Sequence, residues 1–65
     1  MSLSDEERAV IYELIDELLR DFDDVSEEWI EGYITTGDAI ITQKRIREAI
    51  HTYRAELEAD LKSKT

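Results

Sequence analysis

The sequence predicts a small all-α domain of three helices. Three observations carry that expectation: apolar residues recurring at steps of three and four in two long stretches, a capping box ahead of the first stretch, and a shorter element between them that ends on a glycine. A helix, β-hairpin, helix order is the alternative, and residues 1–65 read as one domain.

The first helix is expected over residues 5–22. Ser4 can accept from the Glu7 backbone N–H while the Glu7 carboxylate returns to the Ser4 N–H. Val10, Ile11, Leu14, Ile15, Leu18, Leu19 and Phe22 then build one wide apolar face, with Glu13, Asp16, Glu17 and Arg20 opposite it. Asp16 and Arg20 stand in the favourable i, i+4 order. Asp21, Asp23 and Asp24 follow at what would be the helix C-terminus, where the macrodipole disfavours anions. Relief is expected from a second helix over residues 26–37, capped by Ser26, with Glu27 and Glu28 in its first turn and Gly37 as its left-handed end. Val25, Trp29, Ile30, Tyr33 and Ile34 would form its apolar side.

Gly32 and the β-branched residues around it supply the alternative, in which residues 32–35 pair with residues 39–42 as a hairpin. A third helix is expected from Thr42, with Ile46, Ile50, Tyr53, Leu57 and Leu61 as its stripe and Ala49 widening it. Glu58 to Lys62 and Asp60 to Lys64 are favourably ordered pairs, and residues 62–65 are expected to fray.

Composition narrows the class. Seventeen acidic against eight basic side chains give a net charge of −9, and 42% hydrophobic residues place the chain among folded domains. A core this small typically leaves about 3–5 kcal/mol of net stability, so well-formed helices, self-association or a partner are expected to keep the chain folded. The absence of cysteine removes disulfides, thiolate metal sites and cysteine nucleophiles. No apolar run approaches the length of a membrane span and no leader pattern opens the chain, so a cytoplasmic protein without membrane contact is expected.

Charge is unevenly spread. Residues 1–41 hold 13 acidic and 2 basic side chains, a net of −11, and residues 42–65 hold 4 acidic and 6 basic, a net of +2. Lys44, Arg47, His51 and Arg54 fall at steps of 3, 4 and 3, one ridge of a helix beside its apolar stripe, with Arg45 off it. Cations in the opening turns of a helix oppose its dipole, which calls for a compensating anion. That anion is either internal, from Asp21, Asp23, Asp24, Glu27 and Glu28, or external, on a partner.

Three binding readings follow. The leading one is a protein-binding or self-associating module, with Lys44, Arg47, His51 and Arg54 on one side and Glu13, Glu17, Asp21, Asp23 and Asp24 on the other. A second is a DNA-binding regulator in which residues 42–47 open a recognition helix; the net charge and a connection longer than helix-turn-helix motifs allow oppose it. A third is a nucleic-acid mimic, whose acidic face would occupy the groove of a basic protein. Size and acidity alone suggest a regulator or inhibitor of the kind carried by phages and mobile elements.

Catalysis is not expected. His51 has only Thr52 beside it, which faces elsewhere on a helix, and short helices offer no oxyanion site. The acidic run from Asp21 fails the EF-hand template, having Ser26 and Gly32 at the positions that need Gly and Glu, so no metal or other cofactor is expected. Trp29, Tyr33, Phe22 and Tyr53 are assigned to the core, and Tyr12 to its edge as an interface residue.

Overall fold

In the computed structural model, which describes residues 3–63, two α-helices fold back on each other. They are α1 (Asp5–Glu31, 27 residues) and α2 (Thr36–Ser63, 28 residues). The all-α expectation holds and the three-helix one does not. The helix, reversal, helix order of the alternative is present, but the reversal is a turn at residues 32–35 and no described residue lies in a strand.

Helix α1 opens as expected. Ser4 Oγ accepts from the Glu7 N–H at 3.1 Å, and the Ser4 N–H donates to Glu7 Oε1 at 3.1 Å. It does not stop at Phe22. Leu18, Phe22, Val25 and Trp29 keep the four, three, four spacing straight through the acidic run, so Asp21, Asp23 and Asp24 become mid-helix solvent positions. The dipole conflict expected at those three positions disappears, but Glu28 and Glu31 take it up, standing in a last turn of α1 that holds no basic residue. Ser26 is not a cap: its hydroxyl donates to the Phe22 carbonyl at 3.3 Å, a helix-interior bond, and accepts from Gln43 Nε2 at 2.6 Å.

The glycine that ends α1 is Gly32, at φ 85°. Its N–H donates to the Trp29 carbonyl at 3.1 Å and the Tyr33 N–H donates to the Glu28 carbonyl at 2.9 Å, the paired bonds of a Schellman ending. Gly37 instead lies in the first turn of α2. Thr35 does what was expected of Thr42, because its Oγ1 accepts from the Asp38 N–H at 3.2 Å and its carbonyl accepts from the Ala39 N–H at 3.0 Å. Residues 37–42 are therefore helical, and the turn that a helix-turn-helix reading needs there is not formed. Lys44, Arg45 and Arg47 sit two turns and more into α2, behind Asp38 in its first turn, so the second dipole conflict also disappears.

The helices run antiparallel and share a thin core. Val25, Ala39 and Ile46 are buried together, with Leu18, Phe22, Ile34 and Ile50 packed around them, and Ile11 is buried farther along. Ala39 presents little more than a methyl group, which lets the helices approach closely beside the turn. Gln43 Nε2 also donates to the Phe22 carbonyl at 3.2 Å, and Trp29 Nε1 donates to Thr36 Oγ1 at 3.0 Å across the reversal. Of the aromatics assigned to the core, Phe22 and Tyr53 are half-buried, while Trp29 is 47% and Tyr33 77% exposed. Ile30, Leu61, Val10 and Leu19 are exposed as well. Two helices have a single contact seam, and apolar residues off that seam find nothing to cover them. The pairing expected for Lys64 lies outside the described residues.

The shape reflects this thinness. The chain measures 47 × 17 × 12 Å with a radius of gyration of 14.8 Å, against about 11 Å for a compact domain of this length. It exposes 5285 Å², whereas a compact folded monomer of this mass exposes about 4,300 Å².

Candidate functional site

Helix α2 carries most of the basic residues. Because it is continuous from Thr36, Lys44, Arg47, His51 and Arg54 form one exposed ridge as the spacing required. The Arg47 guanidinium lies over the Phe22 ring, 5.9 Å from its centroid, a cation–π contact between the helices. Leu19 and Phe22 of α1 with Arg47, Ile50 and Arg54 of α2 line a shallow groove along one face of the hairpin. His51 and Arg54 border a second depression with Ala55 and Glu58. The Thr52 hydroxyl donates to the Glu48 carbonyl at 3.1 Å, turned to its own helix and away from His51.

The acidic residues divide. Glu13, Glu17, Asp21 and Asp24 recur at steps of four, four and three along one side of α1. Glu17 stands two turns after Val10, and Val10 lines a depression with Leu3, Ile11 and Glu56 on the face opposite the Leu19 groove. Asp23 does not join them. It belongs with Asp16, the two flanking Leu19 at i+4 and i−3 on the groove side. The four-residue acidic row and the basic ridge therefore occupy different faces of the hairpin, at the same level along its length.

The internal pairing expected of the basic ridge is not present as direct ion pairs. Among the described residues, no carboxylate comes within 4.0 Å of Lys44, Arg47, His51 or Arg54; the ion pairs formed join Arg8 to Asp5 and, at 3.1 Å, to Asp60. Asp16 and Arg20 do not pair either. At the turn end, Asp24, Glu27, Glu28 and Glu31 surround a depression closed by Tyr33 and Ile34, an acidic surface with an apolar floor.

Asp60 and Arg8 were not legible as partners. Asp60 is 2% exposed and accepts from Arg8 Nη1 at 3.1 Å and from the Leu3 N–H at 2.6 Å. The available signal was that Asp60 falls on the apolar stripe three residues after Leu57, a core position occupied by a charge. The hydrogen bond to Asp60 raises the Arg8 pKa, burial lowers it, and Asp5 adds to the rise, with a net upward shift. A cation whose folded pKa is raised contributes its stability below the unfolded value and loses it as pH climbs through the folded one. The Arg8 contribution is thus constant through neutral pH and is lost in strong alkali.

Among the described residues, no group of three or more His, Cys, Asp or Glu side chains could hold a metal ion, and no helix is long and apolar enough to cross a membrane. The arrangement offers recognition by charge and apolar contact. No protein-family model, curated protein or solved structure matches the chain.

Proposed function

We propose that this protein acts by binding another protein surface, without a catalytic step, through the face of the hairpin that holds the Leu19 groove. One observation carries the reading: the chain exposes roughly 1,000 Å² more than a compact monomer of its mass should. Large exposed apolar side chains contribute to the surplus, among them Tyr12, Leu19 and Ile40, each half-exposed or more. A standard interface removes about 800 Å² from each partner, so the surplus is of the size that one docking event covers. Lys44, Arg47, His51 and Arg54 border this face and fit carboxylates on the partner. Glu13, Glu17, Asp21 and Asp24 lie on the far side and serve solubility.

Site-specific photo-crosslinking tests the reading. A photoreactive residue at Leu19 should give a discrete adduct, with the purified chain or in extract of the source cells, and the same residue at Glu27, on the outer side of α1, should not. No adduct from Leu19, or equal labelling from both positions, would overturn it.

A further inference from the structure

We infer that the occupant of this face is a second copy of the chain, and that two hairpins close into an antiparallel four-helix bundle with both turns at the same end. The inference rests on the protein-docking reading above and names its partner.

The argument is one of charge register. Each helix borders the Leu19 groove with its own ridge. On α1 the ridge is Tyr12, Asp16, Leu19 and Asp23, at steps of four, three and four; on α2 it is the basic row containing Arg47 and Arg54. One rim of the face is acidic and the other basic. Within one chain they stand on opposite sides of the groove and form no ion pair.

A two-fold axis parallel to the helices lays α1 of one copy over α2 of the other and turns the unpaired rims toward each other. The levels agree as well. Arg8 meets Asp60, Phe22 meets Arg47 and Ser26 meets Gln43, so facing residue numbers sum to nearly the same value throughout. By that rule Asp23 comes level with the stretch from Lys44 to Arg47 and Asp16 with the stretch from His51 to Arg54, now across the two-fold axis. The alternative axis, perpendicular to the helices, lays α1 on α1 and sets acidic rim against acidic rim. Only the first pairing is complementary. It also keeps the acidic row containing Glu17 and Asp21 on the outer surface, farther than a Debye length of about 8 Å at physiological salt from its symmetry mate.

The experiment reverses each rim. Light scattering coupled to gel filtration, from low to high micromolar concentration, should give the wild-type chain twice the monomer mass. The doubly substituted Arg47→Glu, Arg54→Glu chain and the Asp16→Lys, Asp23→Lys chain should each dissociate at concentrations about tenfold higher or more, since each reversed charge now faces a like charge across the axis. Mixed in equal amounts they should recover a dimer containing one of each, because both seams are then attractive again. That rescue cannot come from a variant that merely fails to fold. A wild-type chain that is helical by circular dichroism yet monomeric throughout, a dimer indifferent to both reversals, or a mixture that does not recover would overturn the inference. If a monomeric chain still gives a Leu19 adduct with a different protein, the docking reading stands and only the second copy is lost; if Leu19 gives no adduct, both fall.

Discussion

Asp60 of α2 and Arg8 of α1 stand 52 positions apart in sequence and 3.1 Å apart in space, the carboxylate 2% exposed at the open end of the hairpin. The same carboxylate holds the Leu3 N–H at 2.6 Å, so one buried anion gathers the start of the chain, the first turn of α1 and the last turns of α2. Asp5 approaches Arg8 from the solvent side. Coulomb attraction is strengthened where water is excluded, and the desolvation of the carboxylate is the opposing cost.

Removing the two partners should not be equivalent. Arg8→Ala withdraws the guanidinium from a carboxylate that stays buried, whereas Asp60→Ala leaves an arginine that can turn to water. The expected order of melting temperature is wild type, then Asp60→Ala, then Arg8→Ala, the last lower by on the order of 5 °C or more for a domain of this size. Thermal circular dichroism reads it, and a reversed order would place the stabilisation elsewhere.

The two glycines should respond with opposite signs. Gly32 sits at φ 85°, where a side chain is strained although nothing lies within 4 Å of an added Cβ. Gly32→Ala should destabilise by about 1 kcal/mol. Gly37 is helical, with only Thr35 Oγ1 at 4.0 Å, and Gly37→Ala should stabilise by about 0.5–1 kcal/mol. Urea unfolding followed by the emission of Trp29, the single tryptophan, measures both.

Truncation in and off the seam should separate sharply. Ile46 is 9% exposed among Val25 and Ala39, and Ile46→Ala should cost about 2–3 kcal/mol, a large share of the stability available to so small a chain. Ile41, 53% exposed on the outer side of α2, should change stability by less than about 0.5 kcal/mol as Ile41→Ala. Equal losses at the two positions would mean that Ile41 is covered in solution.

The bundle arrangement fixes a distance. Thr35→Cys introduces the only thiol in the chain, and a spin label there should report a separation of about 20–30 Å between copies, two helix diameters plus the label arms. Turns at opposite ends would instead put the labels roughly a full hairpin length, 47 Å, apart.

Local signals were legible where the backbone itself used them. The Ser4 and Glu7 box opens α1 as its spacing required, and the step pattern from Lys44 to Arg54 placed four side chains on one ridge. The errors came where a local signal competed with a longer apolar period. Ser26 followed by Glu27 and Glu28 resembles a helix start, yet the seam running from Leu18 through Phe22 to Val25 outweighed it, and Gln43 from the other helix took up the hydroxyl. The choice between Gly32 and Gly37 as the terminator turned on the same point. A reversal at residues 32–35 lets Ala39 close against Val25, and no single-helix pattern contains that contact. Charge type read along the chain also misplaced Asp23 with Asp21 and Asp24, because neighbours one and two apart on a helix face different directions.

The Asp60 clasp brings the two ends of the described chain together at one pole, with the Gly32 reversal at the other, up to 47 Å away. Leu3 and Ser63, the first and last described residues, therefore stand at that same pole. Cargo inserted at the reversal would crowd the tip farthest from that pole and leave the Asp60 clasp untouched.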